Sequence, residues 1–267
     1  MFYRLNILRR IVIKNRFFPV QNSIPKQNFY RSSSVLSAFN ASDEQYSIAN
    51  STKQSPILES VHEKTTALGQ LPSVMIVSSL QGSFLKSLVQ ISKATRVLEI
   101  GSLTGYSALC MAEGLKERGS EAKIVTLEKD EEFFKTAKEN VESSGLGHMI
   151  ELKLGAALDT LSTLDNAIPY DLIFIDADKE NYINYYNSVL ERNLLSDDGT
   201  IIVDNVLFGG SVSQVAEGKD LFYLHPIFKS AAEHLHLFNE YVAKDQRTTQ
   251  VILPCFDGIT FIRKRKV

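Results

Sequence analysis

Apolar and polar positions mark out where the chain can form regular structure. Over residues 57–69 and again over 79–91 apolar side chains recur at helical spacing, the second time through Leu80, Phe84, Leu85, Leu88 and Val89. Downstream, apolar runs of strand length occupy residues 96–100, 123–127, 150–154, 171–175 and 200–203, each separated from the next by a helical pattern. Strands that alternate with helices of this length predict βαβ units and a parallel sheet. After Pro226 one more helix runs to about Asn239. Two β segments, 248–253 and 259–263, close the chain through a short Pro-Cys-Phe-Asp-Gly connection that suits a hairpin. The expected fold is α/β: a doubly wound, mostly parallel seven-stranded sheet with an antiparallel edge, preceded by N-terminal helices.

Charge divides the chain differently. The first 42 residues carry seven basic side chains (Arg4, Arg9, Arg10, Lys14, Arg16, Lys26, Arg31) and no acid. Apolar residues are interspersed there rather than continuous, which favours a mitochondrial transit peptide over a secretory signal. A disordered basic arm or a short membrane-surface helix is the alternative. Residues 43–56, poor in apolar side chains and rich in Ser, Asn, Gln and Thr, read as a linker, with order expected near Pro56. That leaves 57–267 as one domain, and 44% hydrophobic composition suffices for its core. Without the leader the chain holds 22 basic against 31 acidic residues, a net of −9, which argues against nucleic acid as a partner. No stretch approaches the roughly 18–20 apolar residues of a transmembrane span. Cys110 and Cys255 are too few for a disulfide framework.

Candidate chemistry lies where the predicted strands end. The first strand runs into Glu99-Ile100-Gly101-Ser102-Leu103-Thr104-Gly105-Tyr106-Ser107. Glycines at 101 and 105 let the backbone turn sharply and approach a ligand at the carboxyl end of the strand, where doubly wound sheets bind cofactors. The spacing is not G-x-G-x-x-G, so a pyrophosphate cradle for NAD or FAD is disfavoured. Glu128 ends the second strand, a position from which an acid reaches ribose hydroxyls. The fourth strand ends in Asp176-Ala177-Asp178-Lys179 and the fifth in Asp204-Asn205. Carboxylates crowded at one mouth of a sheet repel unless a cation sits among them, and oxygens from Asp176, Asp204 and Asn205 suit Mg2+ or a similar hard cation.

These residues carry a family resemblance. Arg96-Val97-Leu98-Glu99-Ile100-Gly101 with Thr104-Gly105-Tyr106-Ser107, then Phe174-Ile175-Asp176-Ala177-Asp178-Lys179-Glu180-Asn181-Tyr182, then Val203-Asp204-Asn205-Val206-Leu207 are similar in order and spacing to the cation-dependent O-methyltransferases, typified by caffeoyl-CoA and catechol O-methyltransferases. The resemblance covers residues 75–264. It extends to the closing Leu253-Pro254-Cys255-Phe256-Asp257-Gly258-Ile259-Thr260, where the family usually has Gly at the place of Phe256. It implies an S-adenosylmethionine site at Val77, Glu99, Gly101, Ser102, Ser107, Glu128, Ala157 and Asp176. It further implies a divalent cation on Asp176, Asp204 and Asn205, and a catalytic set of Lys179 as general base with Asp176. The sheet order of class I methyltransferases and a homodimer are implied as well. Plant caffeoyl-CoA enzymes have Trp-Asn where this chain has Phe208-Gly209, and their aromatic insertion is not reproduced in residues 210–224, which argues against caffeoyl-CoA as acceptor.

The expected activity is methyl transfer to a hydroxyl oxygen of a small vicinal diol, catechol-like or its thioester, in the mitochondrial matrix. Two rival readings are an NAD-dependent oxidoreductase and a catalytically silent S-adenosylmethionine-binding or assembly protein. The glycine spacing weighs against the first, the intact metal and base set against the second.

Overall fold

A computed structural model describes residues 41–119 and 121–266. Except for its last two residues, the expected transit peptide lies outside them. The first described element, α1 (Ala41–Ala49), falls largely in the stretch expected to be linker and corrects that expectation. Asp43 and Glu44 in its first turn complement the helix dipole, yet it buries none of residues 42–49, so no apolar stripe announces it. Next comes α2 (Pro56–Ala67), where Pro56 pre-sets the first turn and Leu58, Val61 and Thr65 face inward. A short α3 (Gln70–Met75), unexpected from the pattern, leads to α4 (Ser79–Ser92), whose Ser78 cap accepts from the Gln81 backbone N–H.

The chain then alternates: β1 (Arg96–Ile100), α5 (Tyr106–Leu115), β2 (Lys123–Glu128), α6 (Glu131–Ser143), β3 (Ile150–Leu154), α7 (Ala157–Thr163), β4 (Tyr170–Ile175), α8 (Tyr182–Glu191) and β5 (Leu195–Val203). It closes with α9 (Ser211–Ala216), α10 (Pro226–Lys244), β6 (Thr248–Leu253) and β7 (Ile259–Lys264). All seven strands form one sheet in the order β3-β2-β1-β4-β5-β7-β6. The first five are parallel, and β7 runs antiparallel to both β5 and β6. The expected parallel sheet with an antiparallel edge is thus what the chain forms.

Both faces of the sheet are covered, which is why its strands read as continuous apolar runs. Leu98, Ile100, Ile173, Ile175, Ile201 and Val203 point into a core with α7, α8 and α10. The intervening Val97, Leu172, Phe174 and Ile202 point the other way, toward α2, α4 and α5. Phe238 of α10 meets Tyr182 edge-on, ring centroids 5.6 Å apart, and so fixes the first residue of α8. The strand order reverses between β1 and β4, so the crevice at their carboxyl ends is where such a sheet takes a ligand. No helix among the described residues is long and apolar enough to cross a membrane.

Candidate active site

The turn after β1 is held from three sides. Gly101 and Ser102 both donate their N–H to the Leu127 carbonyl at the end of β2, at 3.0 and 3.1 Å. Gly101 has φ 102°, and a Cβ there would lie 2.0 Å from the Asp176 carbonyl oxygen, so only glycine lets the ends of β1 and β4 come this close. From α2, Thr65 Oγ1 pairs with Thr104 Oγ1 at 2.6 Å, and Asn140 of α6 donates to the Thr104 carbonyl at 3.0 Å. Two buried polar atoms here have no hydrogen-bond partner: Glu99 Oε1 and Ser102 Oγ. Loss of solvent pushes the Glu99 carboxyl up to about 7, against the Ser107 and Thr126 hydroxyls beside it.

Glu128, at the end of β2, accepts three backbone N–H groups. Oε1 takes Lys129 and Asp130 at 2.8 and 2.9 Å, and Oε2 takes Leu103 at 2.7 Å. Burial raises its carboxyl above the ordinary range while these N–H groups oppose the rise. An ionised carboxylate has about four acceptor sites, so one on Oε2 is left for a hydroxyl. Ala157 opens α7 beside this residue, because Gly155 N–H is bonded to the Glu128 carbonyl at 2.8 Å. Val77 is buried just ahead of α4, and Ser107 in the first turn of α5.

The ends of β4 and β5 meet around one ammonium. Lys179, in a 3-10 turn preceding α8, donates from Nζ to Asp176 Oδ1 at 2.9 Å, to Asn205 Oδ1 at 2.6 Å and to Tyr182 Oη at 2.6 Å. Tyr182 Oη in turn donates to the Asp204 carbonyl at 3.2 Å, and burial holds this phenol well above its usual pKa, so it stays a neutral donor. Asp204 is buried, accepting from Gln81 Nε2 and the Asn205 N–H, each at 2.7 Å. Loss of solvent, then the neighbouring Asp176 carboxylate, pushes its carboxyl up to about 7; Lys179 works against this. Among the described residues no three His, Cys, Asp or Glu side chains group into a metal cage. The donors at this mouth are instead two carboxylates and one carboxamide.

Sequence reasoning brought together Asp176, Lys179, Asp204 and Asn205, but missed three residues that hold them. Tyr182 lies within a motif read for other residues. Gln81 reaches Asp204 across 123 positions, with nothing local to mark it. Asp257, in the closing hairpin, accepts from Asn205 Nδ2 at 3.3 Å. Asp178, by contrast, turns aside to Lys129 at 3.2 Å, Tyr185 Oη at 2.6 Å and Asn181. Burial would raise its carboxyl, but these partners outweigh burial and hold it below the ordinary range.

A model of the O-methyltransferase family matches residues 48–265. The chain belongs to the O-methyltransferase family. The methyltransferase is 33% identical over 225 residues to the O-methyltransferase ankF of Aspergillus thermomutatus, a match covering 82% of this chain and 91% of that protein. It is 35% identical to Caffeoyl-CoA O-methyltransferase 2 of Populus trichocarpa over 73% of this chain and 76% of the relative. An SAH-bound methyltransferase of Podospora anserina superimposes with a TM-score of 0.78 at 31% identity, covering 88% of the methyltransferase and 100% of its own chain. The enzyme reading replaces both rivals, the oxidoreductase and the silent binding protein.

Proposed function

We propose that this O-methyltransferase takes its methyl group from S-adenosylmethionine and passes it to a small acceptor with adjacent hydroxyls, catechol-like or its thioester, beside a divalent cation such as Mg2+. The observation that carries the reading is the Lys179 ammonium bonded to both Asp176 Oδ1 and Asn205 Oδ1 at the mouth of the sheet. Oxygens from two strand ends are already gathered around one positive charge. An all-oxygen donor set of this kind suits a hard cation. On the cofactor side, Glu99 Oε1 and Ser102 Oγ are buried acceptors without partners, which a bound ligand's N–H or O–H groups would satisfy.

S-adenosylmethionine supplies a reactive sulfonium methyl when bound, and the cation supplies positive charge that favours ionisation of the attacking hydroxyl. The protein's own residues do the rest. Glu128 accepts a ribose hydroxyl through its open site, Glu99 and Ser102 hold polar groups of the cofactor, and Val77, Ser107 and Ala157 line it. Asp176, Asp204 and Asn205 hold the cation, with Gln81 orienting Asp204. Lys179 Nζ would take the acceptor's proton as a neutral amine, after giving up one of its own protons to solvent, with Asp176 and Asn205 given over to the cation and Tyr182 still bonded to it. Remaining acceleration comes from holding methyl and oxygen in line. In the same reading the leader, residues 1–42, carries the enzyme to the mitochondrial matrix.

The test is incubation of purified protein with labelled S-adenosylmethionine and Mg2+ against catechols, catechol-bearing thioesters and matched single-hydroxyl analogues. Label is expected only in vicinal diols. Equal labelling of the single-hydroxyl analogues would overturn the proposed acceptor class.

A further inference from the structure

The closing hairpin has no role in the reading above, yet it reaches the cation site. Its tip, residues 254–258, comes back over the end of β5 and takes up the four backbone N–H groups that follow Asn205, those of residues 206–209. Val206 N–H donates to the Gly258 carbonyl at 3.1 Å, and Leu207 and Phe208 N–H donate to the Asp257 carbonyl at 3.0 and 3.3 Å. Gly209 N–H donates to Asp257 Oδ1. The other side-chain oxygen, Asp257 Oδ2, accepts Asn205 Nδ2 at 3.3 Å.

This contact is close and specific. Gly258 has φ 85°, and a Cβ there would fall 2.6 Å from the Leu207 nitrogen and 2.5 Å from its Cγ, so a side chain at 258 would push tip and loop apart. Within the loop Asn205 and Phe208 hold φ values of 61° and 45°; an Asn adopts this region readily, but a Phe persists there only when its surroundings over-determine it. The tip supplies that constraint. An Asn side chain can present either its oxygen or its NH2, and its hydrogen-bond partners decide which. Here Asp257 claims the NH2, which turns Asn205 Oδ1 toward Lys179 Nζ, at 2.6 Å.

We infer that Asp257 is a positioning residue for methyl transfer: it fixes the loop and the amide of Asn205 so that an oxygen, never an NH2, faces the cation. The inference rests on the reading of Asn205 as a cation ligand. The Asp-Gly pair at the hairpin tip thus has two tasks: Gly258 closes its own turn through its N–H to the Cys255 carbonyl at 2.9 Å, and both residues hold the loop after β5.

The experiment measures Mn2+ affinity by spectroscopic titration and S-adenosylhomocysteine affinity by calorimetry on the full chain. Asp257→Asn leaves one oxygen for two donors, and Asp257→Glu keeps the charge but displaces it. Both are expected to weaken Mn2+ at least tenfold with S-adenosylhomocysteine affinity changed less than twofold. Exchanging the pair, Asn205→Asp with Asp257→Asn, satisfies every donor again and is expected to restore Mn2+ binding to within threefold. The exchange carries the test if a single variant fails to fold. Loss in Asp257→Asn alone, with Asp257→Glu unchanged, would reduce the effect to charge and overturn the positioning role. So would an exchanged pair that stays weak or unfolded. Absence of Mn2+ binding by the wild type would instead overturn the cation reading and the inference with it.

Discussion

Lys179 Nζ lies 2.6 Å from Asn205 Oδ1, and the same nitrogen lies 2.9 Å from Asp176 Oδ1. The ammonium therefore holds the oxygens that the proposed divalent cation needs, and the two positive charges compete for them. In the proposed mechanism, base and cation site are thus one assembly with two arrangements.

Lys179→Met separates the two roles. It removes the competitor, so Mn2+ binding should tighten, yet it removes the proton acceptor, so single-turnover transfer should slow by roughly 10² to 10⁴-fold. Titration and rapid quench on the same preparation check both. Weaker Mn2+ binding in the variant would mean that Lys179 supports the site rather than competing for it.

Glu128 tests the cofactor side. Glu128→Gln retains the size but only one acceptor oxygen, where the native carboxylate already serves the Leu103, Lys129 and Asp130 N–H groups. S-adenosylmethionine affinity should fall by on the order of 1.5 to 3 kcal/mol, the range for a charge-assisted hydrogen bond. An unchanged dissociation constant in calorimetry would remove Glu128 from the cofactor site.

How far the sequence led depended on what each element buries. Strands β1, β3 and β6 have the bounds expected of them: β1 is a buried apolar run, whereas β3 and β6, the two edge strands, bury only their first residue. The early start of β5 was hidden, since Asp197 and Asp198 are exposed and interrupt the run after Leu195. Helix α10 continues past Asn239 to bury Val242, one turn beyond Phe238. At the site, Asp176, Asp204 and Asn205 were legible because strand ends gather at the mouth of a doubly wound sheet. Gln81 and Asp257 were not, because a polar side chain on a helix or hairpin tip looks the same in sequence whether it faces water or a distant carboxylate.

The leader makes a separate prediction. A fluorescent fusion to the full chain should enter mitochondria, while one to the chain starting at Ser42 should remain cytosolic with activity intact. Cytosolic signal from the full-length fusion would contradict the transit-peptide reading.

Glu99 links stability and binding to pH. Its carboxyl titrates at about 7 in the folded protein against 4.5 as the reference for the unfolded chain. A raised carboxyl pKa means that the unfolded chain releases this proton first. Raising the pH from about 4.5 to 7 therefore removes stability, on the order of 3 kcal/mol from this group, and no more is lost above. A cationic ligand acts in the opposite sense by favouring ionised Glu99. S-adenosylmethionine affinity should accordingly climb by up to about tenfold per pH unit below 7 and level off above it. Calorimetric titrations from pH 5.5 to 8.5 measure the slope, and Glu99→Gln should flatten it. A slope that survives in Glu99→Gln would assign the proton to another group.

The metal itself gives the sharpest division. Asp204→Ala with Asn205→Ala should abolish methyl transfer while leaving S-adenosylmethionine binding nearly intact, because both residues follow β5, whereas none of the proposed cofactor contacts comes from that strand end. Alanine at position 205 must adopt the native φ of 61°, so some stability will be lost, and cofactor affinity serves as the check that the protein has folded. Chelation of the wild type should reproduce the loss of turnover without touching the backbone, and added Mg2+ should reverse it. Were these residues only shaping a turn, the folded fraction of the double variant would keep its activity per molecule whether or not cation is present. Full turnover by chelated wild type on its best acceptor would make the cation dispensable. Lys179 would then have to give up a proton and act as a neutral amine with no cation to take over Asp176 and Asn205, the oxygens its ammonium now holds.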